Sequence, residues 1–144
     1  MGIATRDLPF TRDRVYEVVS DPRSYPHWLV GTQEILSVDD DWPAPDSAFG
    51  HRVGLLGTLT VKDSTVAEEA EPPARLVLRA RARPMGRARV QITFEETAGG
   101  TRVTMEEGPL GLVAPLSPLL QPLIVARNEK SLRRLERHLA DAPA

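Results

Sequence analysis

Cysteine is absent from the chain, so disulfide staples, thiolate nucleophiles and cysteine-held metals are excluded at the outset. Aromatic residues are scarce, at 5% of 144 positions, and no run approaches the roughly 18 consecutive apolar residues that a membrane-spanning helix needs. There is no charge excess either. The net charge of −2 argues against a general nucleic-acid binder, which normally carries a basic surplus. The first residues, MGIATRDLPFTRDR, lack the apolar core of a signal peptide, so a soluble, cytoplasmic protein is expected. Gly50, Gly54, Gly57 and Gly86 match neither a phosphate loop nor a dinucleotide fingerprint, and a role in turns suffices for them. No repeat or low-complexity tract divides the chain, and its length suits one domain over 1–144 that buries about two-thirds of its unfolded surface.

What is present is a change of hydrophobic period along the chain. Residues 3–9 suit a short strand. Thr11 is then an N-cap candidate for a helix whose Val15, Val18 and Val19 form an i, i+3, i+4 stripe. Asp21-Pro22 stops that helix, Pro22 suits the first turn of a second, and Pro26 keeps the second one short. In SDPRSYPHWLVG the prolines therefore read as helix punctuation. Trp28 is expected to plug the end of the sheet, with Tyr25 supporting it and His27 facing solvent.

From Gly31 onward the period is two. Ile35, Leu36 and Val38 suggest a strand, DDDWPAPDS a turn, and Phe49, His51, Val53 and Leu55 the inward face of the next strand. A loop at 54–56 would pair Phe49 with Val61 and His51 with Leu59. Next comes the hairpin PARLVLRARARPMGRARVQITFEE. With Pro84-Met85-Gly86 as its loop, Leu76 faces Phe94, Leu78 faces Ile92, Ala80 faces Val90 and Ala82 faces Ala88. This taper from large to small leaves space at the alanine end. On the outer face the same register sets Arg81 against Arg89 and Arg83 against Arg87. Glu68, Glu69 and Glu71 are the acids near enough in sequence to relieve them. An Ala98-Gly99 turn places Val103 against Phe94 and Met105 against Ile92, with Glu107 inward. The chain closes with a helix over 118–141. Its apolar stripe of Ile124, Leu132, Leu135 and Leu139 is interrupted by Asn128.

The element order, the stretch DPRSYPHWLVG after the first helix, PPARLVL opening a strand and RNEKSLRRLERHL at the end resemble the START-like superfamily known as SRPBCC, and within it the polyketide cyclase/dehydrase-type proteins. The resemblance implies an α+β helix-grip fold. In that fold a curved seven-stranded antiparallel sheet wraps around a long C-terminal helix, with two short helices after strand 1 and a ligand cavity between sheet and helix. Its members include lipid and hormone carriers, cyclases and oxygenase domains. The two-histidine, one-carboxylate iron site of the oxygenase branch has no counterpart in the spacing of this sequence.

Three inward titratable groups are candidates for catalysis: His51 as a general base or carbonyl holder, and Asp63 and Glu107 as acids. Each also has a plain structural reading as a satisfied buried group or, for Asp63 and Glu107, one turned outward by a bulge. The expected ligand-binding positions are Trp28, Phe49, Val61, Leu78, Ala80, Val90, Ile92, Met105, Ile124 and Asn128. Asn128 could instead tie the helix to a strand or to Glu107. No spacing unites His27, His51 and His138, so neither a metal nor a cofactor is expected. The partner expected is a small, mostly apolar lipid-, aromatic- or polyketide-like ligand, with no nucleic acid and no integral membrane; a homodimer is left open. A metal-free cyclase or dehydrase acting by acid/base chemistry is the alternative, and an interaction module using the arginine patch is a further one.

Overall fold

In the computed structural model, which describes residues 2–56, 59–81 and 87–141, the Thr11 side chain accepts a hydrogen bond from the Arg14 N–H and opens helix α1 (Arg12–Ser20). Strand β1 (Gly2–Leu8) precedes it. A single 3-10 turn (Pro22–Ser24) and helix α2 (Tyr25–Trp28) follow, with Asp21 capping the turn through the Arg23 N–H. Proline at the start of each short element supplies a fixed φ where no N–H partner is needed, which accounts for their brevity.

Six more strands follow: β2 (Thr32–Val38), β3 (Ala48–Leu56), β4 (Leu59–Glu71), β5 (Arg75–Arg81), β6 (Arg87–Thr97) and β7 (Gly100–Leu110). They form one antiparallel seven-stranded sheet in the order β1-β7-β6-β5-β4-β3-β2. A 3-10 segment (Gly111–Leu116) leads into the long helix α3 (Ser117–Asp141), which lies against β1, β7 and α2. The sheet gripping this helix is the α+β helix-grip fold. Among the described residues no helix is long and apolar enough to cross a membrane.

The core forms where the faces of the two layers meet. Leu132, Leu135 and Leu139 of α3 and Val15 and Val19 of α1 are buried against Leu76, Phe94 and Val103 of the sheet. Tyr16 adds an edge-on contact to Phe94, with ring centroids 5.2 Å apart. At the β6–β7 turn Gly100 has a positive φ of 155°, and a Cβ there would lie 2.1 Å from the Leu8 carbonyl, so no other residue fits beside the end of β1.

The β6–β7 register follows the sequence pattern, with Phe94 opposite Val103 and Ile92 opposite Met105. Two other registers differ from expectation. In the β3–β4 hairpin Phe49 pairs with Thr65, His51 with Asp63 and Val53 with Val61, rather than Phe49 with Val61 and His51 with Leu59. The ladder continues to Leu56 opposite Leu59, so the strands zip further before turning and gain backbone hydrogen bonds that a loop at 54–56 would forgo. In the β5–β6 hairpin Leu76 pairs with Ile92, Leu78 with Val90 and Ala80 with Ala88, a displacement of two residues. Arg79 therefore faces Arg89, and Arg81 faces Arg87. The expected loop at 84–86, with Ala82 and Arg83, lies outside the described residues. Both displacements are even in number, so every side chain keeps its face.

Candidate functional site

The tapered hairpin determines where the core stops. Leu78 and Ile92 fill the space between sheet and helix, but Ala80 and the facing Ala88 cannot, and a cavity of about 120 Å³ opens beside them. Its apolar wall continues through Phe49, Val53, Val90 and Met105 from the sheet and through Tyr25, Trp28 and Leu29 from the α2 segment. Trp28 is buried at the inner wall. Its indole N–H donates to Ser24 Oγ at 3.0 Å, and its ring meets Tyr25 edge-on at 5.5 Å. The Tyr25 hydroxyl donates to the Val19 carbonyl at 2.6 Å, and burial pushes its pKa far up. His27 is exposed and stacks on His138 with centroids 5.0 Å apart.

Two polar groups interrupt the apolar wall. On one side His51 is buried, with Nε2 lying 3.0 Å from Thr65 Oγ1. Burial pushes the imidazole pKa below its ordinary value, against smaller opposing effects from Asp63 and the Ser64 backbone. A neutral imidazole can donate through one nitrogen and accept through the other. Among the described residues Nδ1 finds no hydrogen-bond partner of ordinary geometry.

On the other side Glu107, opposite Val90 on β7, has a side chain only 7% exposed. Arg127 donates to its Oε2, and the Asn128 amide nitrogen lies 3.2 Å from its Oε1. Both carboxylate oxygens are thus engaged by α3. Arg127 is 42% exposed and, with the exposed Arg81, stands at the rim of the cavity, so the opening is cationic and the interior apolar.

Trp28, Phe49, His51, Leu78, Ala80, Val90, Ile92, Met105 and Glu107 all lie around this void. Four other candidates are placed elsewhere. Val61 and Asp63 are half-buried on β4 and are not among the lining residues; the Asp63 carboxylate accepts from the Ser64 N–H at 2.9 Å. Ile124 is half-buried beside Gly2 of β1. Asn128 is buried behind Glu107 and reaches the cavity only through that carboxylate. The sequence reading missed Thr65, which shares the parity of the inward β4 residues, and the rim arginines Arg81 and Arg127. Arg127 lies off the apolar stripe, and its only sequence signal is its position next to Asn128.

Residues 4–140 match the family described as polyketide cyclase / dehydrase and lipid transport. Among curated proteins none matches. Solved structures of the same fold include protein NE0264 from Nitrosomonas europaea, at a TM-score of 0.77 and 17% identity over 96% of this chain and 92% of that one. A Rhodobacter sphaeroides protein is similar at a TM-score of 0.77 and 19% identity, covering 96% of this chain and 91% of its own. DynU16, a putative protein in the dynemicin biosynthetic locus, is similar at a TM-score of 0.69 and 20% identity; the match spans 97% of this chain and 47% of DynU16. At these identities the likeness is one of fold.

Proposed function

Because the chain belongs to the polyketide cyclase / dehydrase and lipid transport family, we propose that it binds a small, mostly apolar ligand in the cavity between the sheet and helix α3. The observation that carries this reading is the void itself. Native interiors pack to crystal-like density, yet here the Ala80–Ala88 pair stands where larger side chains would narrow the gap. About 120 Å³ is somewhat below the roughly 150 Å³ of an apolar cavity that admits benzene, so an aromatic ring would fill the void and reach into its opening. A longer ligand would place its apolar end here and extend past the rim. His51 with Thr65 offers a hydroxyl or carbonyl one hydrogen-bonding site, and Arg127 and Arg81 favour an electron-rich or acidic group at the opening.

A carrier reading is preferred to an acid/base enzyme because Glu107 has both oxygens tied to α3 and Asp63 is not among the lining residues, so among the described wall residues no acid stands uncommitted beside His51. The test is a thermal-shift and NMR titration with indole, toluene and decanoate. Binding should raise the unfolding midpoint and move the amide signals of Thr65, Ala88 and Met105. A flat response to all three would contradict the reading.

A further inference from the structure

On the outer face of the sheet β5 and β6 carry two successive arginine pairs, Arg79 opposite Arg89 and Arg81 opposite Arg87. Like charges directly across a sheet repel. The first pair is relieved from within the fold. A register shift between Ala67 and Glu69 takes Glu68 out of the β4–β5 ladder, and its two oxygens lie 3.6 Å from Arg79 Nη1 and 3.0 Å from Arg89 Nε. The second pair has no carboxylate partner among the described residues. Since Thr65 pairs with Ala80, the next β4 position beside Arg81 is Ser64, which carries no charge. Ser64, Val66, Arg79, Arg81 and Arg87 together enclose a cleft of about 200 Å³.

We propose that this cleft binds a phosphate group between the guanidiniums of Arg81 and Arg87. Each planar fork can donate two parallel hydrogen bonds to an oxyanion, and the Ser64 hydroxyl adds a donor from a third direction. A carboxylate can bridge two guanidiniums through its two oxygens, as Glu68 does for Arg79 and Arg89, whereas a tetrahedral phosphate has further oxygens left for a donor on a third side. The anion would do for Arg81 and Arg87 what Glu68 does for Arg79 and Arg89. The cleft adjoins the apolar cavity at Arg81, which borders both, but Arg87 and Ser64 belong to the outer cleft alone.

The test titrates inorganic phosphate at constant ionic strength, followed by calorimetry and thermal unfolding, into the wild type, Arg87→Gln and Ser64→Glu. A parallel arm measures binding to phosphatidylcholine vesicles with and without phosphatidate. Phosphate should raise the unfolding midpoint of the wild type. Arg87→Gln should weaken binding roughly tenfold or more, as expected for loss of a charge-assisted donor. Ser64→Glu supplies the missing carboxylate, so it should be more stable than the wild type without phosphate and no longer respond to it. A response to inorganic phosphate identifies a soluble phosphate ligand, and binding to phosphatidate vesicles alone identifies a lipid headgroup. Absence of both, or a phosphate response unchanged in the two variants, would overturn the proposal.

Discussion

The Asn128 amide lies 3.2 Å from the Glu107 carboxylate, both side chains buried, so the long helix is tied to strand β7 by a polar contact at the point where its apolar stripe is interrupted. Arg127, the neighbouring residue on the helix, donates to the other oxygen of the same carboxylate. Glu107→Ala would leave an amide and a guanidinium without their acceptor. Breaking a buried pair costs about 3–5 kcal/mol, and because Arg127 reaches solvent a loss of about 2 kcal/mol is expected. Asn128→Leu should cost about 1–3 kcal/mol, and the double variant less than the sum of the two, because the residues share one contact. Urea denaturation of the single and double variants measures this, and strict additivity would contradict it.

His51 links stability to pH. Its folded-state pKa lies below the ordinary 6.5 because burial disfavours the charged ring, so on acidification the unfolded chain takes up the proton first. The stability this burial preserves is fully present above about pH 6.5 and is lost as the pH falls toward the folded-state value. His138 is lowered as well, chiefly by burial and then by His27 and Arg14, and acts in the same direction. His51→Gln should therefore flatten, without abolishing, the loss of stability as the pH falls below about 6.5. An imidazole titration by NMR that placed His51 at or above 6.5 would contradict this account.

Trp28 has two separable contributions. Trp28→Phe keeps most of the ring volume and gives up the N–H bond to Ser24, for an expected loss of about 1–2 kcal/mol. Trp28→Ala removes the whole buried ring and should cost about 3–5 kcal/mol. Chemical unfolding compares them, and equal losses would mean that the hydrogen bond, not the packing, holds this end of the sheet.

Filling the void should separate binding from folding. Ala88→Leu places extra methylenes in space that the facing Ala80 leaves open, so a stability change within about 1 kcal/mol is expected, with indole binding lost. Unchanged binding of indole would show that the ligand lies elsewhere.

The parts of this architecture that a local pattern can encode were legible in the sequence. The Ala98-Gly99 turn leaves one register for β6–β7, and it is the one observed. Pro22 and Pro26 mark the brevity of the elements leading to Trp28. Where the turn was less constrained, the register moved by an even number of residues. His51 therefore kept its inward face but lies opposite Asp63 rather than Leu59, with Thr65 as its side-chain hydrogen-bond partner. Asp63 shows the limit of parity, for it shares the phase of Thr65 yet is not in the cavity wall. Arg127 was hidden for another reason. An arginine at an exposed helical position is ordinary in sequence, and only the tertiary placement of Glu107 gives it a role. Glu68 was legible as an acid near the arginines, but its reach to Arg79 and Arg89 together depends on a bulge that no residue pattern announces.

The central claim is that the Ala80–Ala88 void is a ligand site, and native mass spectrometry of wild type and Ala88→Leu, each purified from the protein's own cells, tests it most directly. A small apolar ligand retained by the wild type and absent from Ala88→Leu is the predicted result. Bare protein in both, or the same ligand in both, would contradict it.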